Sequence, residues 1–85
     1  MRIISQDKQT DIPYERSIIT NEIVKESTVF IYANIYDRIF WLGTYHSLDD
    51  AKAVLWAIAA SKKAGKDYFE MPSADGDLQY AYKKM

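Results

Sequence analysis

The segment from Thr28 to Ala60 constrains the fold more than any other part of the chain. It reads as two aromatic-rich strands, TVFIYANIYDRIFWLGTYH, that run straight into one amphipathic helix, SLDDAKAVLWAIAASKKAG. Along Thr28 to Tyr36, Val29, Ile31, Ala33 and Ile35 alternate with Phe30, Tyr32, Asn34 and Tyr36, the period of a strand. Asp37 and Arg38 are expected to turn the chain. Ile39 to Tyr45 then returns, with Ile39, Trp41 and Tyr45 on one face and Phe40, Leu42 and Thr44 on the other. A sheet with one wet face alternates apolar with polar residues. Here one side is aliphatic and the other aromatic, so neither is marked for solvent. A chain of 85 residues supplies one covering layer, and the second face calls for cover from outside the monomer.

The helix is defined by its own ends. Ser47 stands as N-cap, Asp50 occupies the capping-box position three residues on, and Asp49 suits the positive end of the dipole. Gly65 falls where a C′ glycine belongs, with Lys62, Lys63 and Lys66 around the negative end. Leu48, Ala51, Val54, Leu55, Ile58 and Ala59 follow the helical period and form the expected core stripe. Ala53, Ala57, Ala60 and Ala64 form a second, small-residue ridge. Trp56 lies beside it, roughly 130° from the centre of the core stripe by the helical step of about 100°. Alanine is the best helix former, which alone accounts for such a ridge. Close packing of a partner helix accounts for it too, and Ala53, Trp56, Ala57, Ala60 and Ala64 are the expected oligomer or partner interface.

The remaining elements are weaker. Arg2 to Gln6 reads as a first strand followed by a polar turn from Asp7 to Asp11. Ile12, Pro13 and Tyr14 form an edge segment, because Pro13 donates no ladder hydrogen bond. Ser17 to Val24 alternates weakly, and Lys25, Glu26 and Ser27 break the chain. Asp67 to Met71 is a last strand ended by Pro72. Ser73 to Asp77 is a turn, and the tail LQYAYKKM is a short pairing strand or a frayed end. The expected architecture is α+β in a single domain, with one antiparallel sheet of four to five strands and one helix across a face.

Composition narrows the classes of function. Eleven basic and twelve acidic residues give a net charge of −1, which provides no electrostatic footprint for duplex nucleic acid. There is no cysteine, hence no disulfide and no thiolate metal site. A domain this small buries only about 60% of its unfolded surface. Self-association is then the economical source of further stability. No segment approaches the roughly 20 apolar residues of a membrane span, and the opening MRIISQDKQ lacks the apolar run of a signal peptide. The expected location is the cytoplasm.

Catalytic chemistry finds no purchase. His46 is the one histidine, so no serine has a choice of base and no metal has a second imidazole. Asp75 and Asp77 flank Gly76 but lack the rest of a calcium loop. Three glycines, at 43, 65 and 76, do not make a phosphate cradle. No catalytic residue, metal or cofactor is expected. The aromatics of the strand pair suit a stacking platform, for which Arg2, Arg16 and Arg38 are the arginines available. The same rings also suit the core of a small oligomer.

Four stretches carry a resemblance: MRIISQD, DIPYE, LGTYHSLDDAKAVLWAI and YFEMP. The chain resembles short hypothetical proteins of Firmicutes phages and prophages, which share an M-[RK]-I-I-S-Q-D start and a G-x-Y-x-S segment leading into a helix. Gly43, Tyr45 and Ser47 fit that segment, and Ala51, Val54 and Ile58 fit the helix. Ser5, Gln6 and Asp7 have no packing reason legible in the sequence and belong to a site or a tight turn, with Gln6 and Asp7 expected to build the turn. The resemblance implies a phage setting and a non-catalytic binding protein directed against host defence. In one version, oligomer-interface pockets sequester a nucleotide messenger, with Trp41 and Tyr45 stacking the base and Arg2, Arg16 or Arg38 meeting phosphates. In the other, the ridge around Trp56 docks on a host defence protein. A structural or accessory phage protein without a ligand is the third version.

Overall fold

A computed structural model describes residues 1–74 of the chain. The elements run β1 (Arg2–Ile4), β2 (Asp11–Pro13), a one-turn 3-10 helix (Tyr14–Arg16), β3 (Ile18–Lys25), β4 (Thr28–Ile35), β5 (Arg38–Tyr45), α1 (Leu48–Lys63) and β6 (Tyr68–Glu70). The fold is α+β with one helix among the described residues, as the sequence pattern indicates. The expected turn at Ser73 to Asp77 reaches past the described residues, and the tail from Leu78 lies wholly outside them.

The single antiparallel sheet is corrected. There are two three-stranded sheets, β2-β1-β6 and β3-β4-β5. The second is an antiparallel meander. In the first, β1 pairs antiparallel with β2 but parallel with β6, whose Tyr68, Phe69 and Glu70 face Arg2, Ile3 and Ile4. A parallel pair needs a long crossover, and everything between β1 and β6 serves as one. Alternation along a strand carries no information about so distant a neighbour.

The two sheets meet at Gln6. Its backbone N–H donates to the Leu42 carbonyl at 2.7 Å. Its side-chain Oε1 accepts from the Thr44 N–H at 2.9 Å, while Nε2–H donates to the Thr44 carbonyl at 3.1 Å. The amide therefore imitates a strand on the free edge of β5. Nε2–H also donates to the Pro72 carbonyl at 3.0 Å, beside the Tyr45 hydroxyl, which donates to the same oxygen at 2.7 Å. Gln6 and Asp7 are also the central residues of the turn, which the Lys8 N–H closes on the Ser5 carbonyl at 3.0 Å. Asp7 Oδ1 accepts from the Ser5 hydroxyl at 2.6 Å and from the Gln9 N–H at 3.0 Å, and the Thr10 N–H donates to Ser5 Oγ. Both residues thus build the turn as expected, and the Gln6 side chain in addition stitches the sheets together.

A β-bulge in β5 reassigns its faces. Ile31 faces Gly43 and Tyr32 faces Trp41, so Leu42 is the extra residue. Beyond the bulge, Phe40 joins the side of Val29, Ile31, Ala33 and Tyr45, while Trp41 joins Phe30 and Tyr32. The strict alternation that grouped Trp41 with Tyr45 fails at this point, because one inserted residue exchanges the faces. Leu42 and Tyr45 are both fully buried. The hairpin loop is also displaced by one residue. Ile35 pairs with Arg38, leaving Tyr36 and Asp37 in the loop.

Helix α1 matches its expected caps. Ser47 Oγ accepts from the Asp50 N–H at 3.1 Å. At the other end the Gly65 N–H donates to the Lys62 carbonyl and the Lys66 N–H to the Ser61 carbonyl, a Schellman pair closed by Gly65 at φ 78°. The helix covers the aliphatic face of the meander, and Ile3, Ile12 and Met71 of the smaller sheet join the same core. Ile31, wholly enclosed there, contributes roughly 2 kcal/mol by burial.

Candidate binding face

The face of the meander turned away from α1 is built from alternate residues of three strands. Ile18, Thr20 and Glu22 of β3 stand opposite Asn34, Tyr32 and Phe30 of β4. Asn34, Tyr32 and Phe30 in turn face Ile39, Trp41 and Thr44 of β5. Aromatic and β-branched side chains dominate because these strands select residues that fit a pleated surface. The rings are held in place. Phe30 and Tyr32 meet edge to face at 5.8 Å and 82°. The Trp41 Nε1–H donates to Thr44 Oγ1 at 3.0 Å. Ile18 and Ile39, on either side of Asn34, form the row at one end of this cluster at 69% and 67% exposure. The result is a fixed aromatic centre bordered at one end by two exposed aliphatic residues and at the other by Glu22, the acidic group on this face.

The five residues expected to hold a nucleotide do not assemble within the chain. Trp41 lies half-buried on the outer face, whereas Tyr45 is enclosed on the opposite face, so the two cannot sandwich a base. Burial pushes the Tyr45 phenol well above its ordinary value, although the neighbouring Gln6 opposes the shift. Arg2 sits on the other sheet, where its Nε–H donates to Asp11 Oδ1 at 2.7 Å and its guanidinium also reaches the Asp11 carbonyl. Arg16 belongs to the 3-10 helix. Arg38 opens β5 with its guanidinium 5.6 Å from the Phe40 ring centre. Among the described residues, no hydrogen bond, ion pair or ring contact joins any two of the five.

The alanine ridge is likewise reassigned. Ala53 and Ala57 are buried in the core, Ala60 is half-buried, and Ala64 is exposed at the helix end. Ala59, expected inside, is exposed. The buried arc is rotated by about a quarter turn from the predicted stripe, by the helical step. Two layers of strands contribute to the core, so α1 needs small residues toward both. Trp56 remains 54% exposed on the helix.

A groove of about 420 Å³ runs between α1, the 3-10 helix and β3, lined by Tyr14, Glu15, Ser17, Ile19, Leu55 and Ile58. Glu15 and Ser17 are already engaged. Glu15 accepts from Lys62 Nζ at 2.6 Å and from the Met1 amine at 2.7 Å, and the Ser17 hydroxyl donates to the Tyr14 carbonyl. The Lys62 hydrogen bond, helped by the Met1 amine, holds the Glu15 carboxyl at about 2. The groove's lining mixes Ile19, Leu55 and Ile58 with Tyr14, Glu15 and Ser17, and its one charged lining residue is an acid, so it is not a phosphate cradle.

His46 is exposed at the junction of β5 and α1. Among the described residues, no group of three or more histidines, cysteines or carboxylates converges to hold a metal ion. No helix among them is long and apolar enough to cross a membrane. Comparison with protein-family models, curated proteins and solved structures returns no match.

Alternation grouped Trp41 with Ile39 and Tyr45; Ile39 does share its face, while Tyr45 lies on the other. Phe30 and Tyr32 carried a usable signal, since they alternate with residues that any strand reading buries. That Trp41 and Ile39 join them was not legible, because the bulge at Leu42 decides it.

Proposed function

We propose that the protein is a non-catalytic binding protein that acts by protein–protein contact through the outer face of its meander. The observation that carries this reading is the pre-ordered Phe30, Tyr32 and Trp41 cluster beside the exposed Ile18 and Ile39. Rigid aromatic anchors are what protein interfaces place at their centres. In the phage setting that the sequence resemblance implies, the partner is a host defence protein, and the protein works in the host cytoplasm as a homo-oligomer. Sequestration of a nucleotide messenger is the weaker reading. It needs aromatic and cationic groups around one space, and here Tyr45 is enclosed while the three arginines lie on separate elements.

The test is capture of host proteins on immobilised wild-type protein beside the double variant Ile18→Asp, Ile39→Asp, with circular dichroism as the check on folding. A specific host protein retained by the wild type and lost by the folded variant is the expected result. Retention by both moves the docking site off this face. A nucleotide-dependent rise in melting temperature would overturn the reading in favour of sequestration.

A further inference from the structure

The free edge of the meander is β3, eight residues long, and its usual protections are sparse: Glu22 and Lys25 are its charged residues. Among the described residues, β3 has β4 as its only strand neighbour, and no backbone hydrogen bond outside that pairing involves Ile18–Lys25. It contains no proline, and its bulge lies at the far end, between Ile23 and Lys25. Ile18, Ile23 and Val24 are exposed on it at 69%, 58% and 44%. Edges of this kind are templates for another strand.

We infer that β3 is the seam of a two-fold dimer in which it pairs antiparallel with β3 of a second copy, centred on Asn21. This deepens the homo-oligomer reading above and rests on it. The register follows from pairing rules applied to the strand itself. Residues directly opposite in an antiparallel pair share a face. Centring on one residue therefore sets core side against core side and leaves both helices on the same side of a six-stranded sheet.

About Asn21, Ile19 meets Ile23 of the second copy, Thr20 meets Glu22, and Asn21 meets Asn21. Ile18 meets Val24 where the bulge ends the ladder. Apolar residues face apolar ones and no like charges meet. Centring on Glu22 would oppose two carboxylates, and centring between Thr20 and Asn21 would set Ile19 against Glu22. The groove beside α1 supports the same register. Ile19 lines it beside Tyr14, Leu55 and Ile58, and Ile23 of the second copy arrives on that side of the sheet. The outer aromatic faces then run on from one copy into the other.

Sedimentation velocity at micromolar concentration, with paired variants at Thr20, tests both seam and register. The wild type should sediment as a dimer. Thr20→Glu sets two carboxylates opposite Glu22 in both symmetry-related pairs and should weaken the dimer about tenfold. Thr20→Lys faces the same carboxylates with ammonium groups and should dimerise at least as tightly as the wild type. Asn21→Pro, which removes a central donor, should be monomeric. Should the proline fail to fold, the Thr20 pair still decides.

Equal weakening by glutamate and lysine would overturn the register. A dimer indifferent to all three variants would overturn the seam and leave the oligomer reading standing. A folded wild-type monomer would overturn both, whatever else occupies the edge.

Discussion

Tyr45 closes over Gly43 so tightly that position 43 has room for nothing larger. A β-carbon there would stand 2.9 Å from Tyr45 Cε2 and 3.1 Å from its hydroxyl oxygen. The ring cannot swing aside, because the hydroxyl is held on the Pro72 carbonyl at 2.7 Å and the side chain is enclosed. Gly43 also borders the bulge at Leu42, where close backbone approach is common. Gly43→Ala should therefore destabilise the domain by about 1–3 kcal/mol, the usual range for overpacking. Thermal denaturation checks it. An unchanged melting temperature would mean that the ring has another place to go.

The Tyr45 hydroxyl itself sets an alkaline limit. Burial raises its pKa, so the folded state prefers the neutral phenol more strongly than the unfolded chain does. Its stabilising contribution is complete below the unfolded value of about 10 and is lost as pH rises beyond it. Tyr45→Phe should flatten that alkaline loss and cost about 1 kcal/mol at neutral pH. The cost is small because the Pro72 carbonyl keeps the Gln6 donor. Denaturant midpoints measured on both sides of pH 10 would show whether the slope disappears.

Gln6 joins the two sheets with three side-chain hydrogen bonds to backbone atoms. Gln6→Glu keeps the shape but turns a donor into an oxygen facing the Thr44 and Pro72 carbonyls. It should cost more than Gln6→Ala, for which the loss is about 2 kcal/mol. Hydrogen exchange at the Thr44 amide reports the same bond directly. If alanine and glutamate behave alike, the amide's donor contributes little to the join.

How legible these features were depends on how local their causes are. Ser47 and Gly65 close α1 through bonds to residues within five positions, so the caps stand out in the sequence. The β4–β5 hairpin was legible as a hairpin but displaced by one residue, because Tyr36 at φ 56° is an unusual turn former. Trp41 changed faces because the bulge at Leu42 adds one residue to a pattern whose period is two. The parallel pairing of Ile3 with Phe69 and the reach of Gln6 to Thr44 join distant parts of the chain, and alternation within one strand cannot encode them. The outer face could be read only halfway. Phe30 and Tyr32 follow from alternation, while their union with Trp41 and Ile39 waits on the bulge.

Tyr36 holds a left-handed backbone conformation and is 88% exposed, so little burial offsets the strain. For a bulky residue that conformation costs roughly 1–2 kcal/mol, while glycine loses about 0.5–1 kcal/mol in backbone entropy. Tyr36→Gly should therefore stabilise slightly, by about 0.5 kcal/mol. A fall in the melting temperature would show that the exposed ring makes a contribution of its own.

Glu15 ties the 3-10 helix to the last turn of α1 through Lys62 and to the start of the chain through the Met1 amine. Its carboxyl is held at about 2, against 4.5 for the unperturbed group. A depressed carboxylate contributes stability that is complete above the unfolded value and is lost as pH falls through the folded one. The window is therefore pH 4.5 down to about 2. Lys62→Met removes the largest cause and leaves the amine, so the Glu15 titration should move up toward its ordinary value and the acid loss should flatten. Carboxyl chemical shifts followed by NMR against pH give the titration, and melting temperatures across the same range give the linkage. A Glu15 midpoint unmoved by Lys62→Met would assign the shift to the Met1 amine, and Glu15 would then bind the chain start rather than the helix.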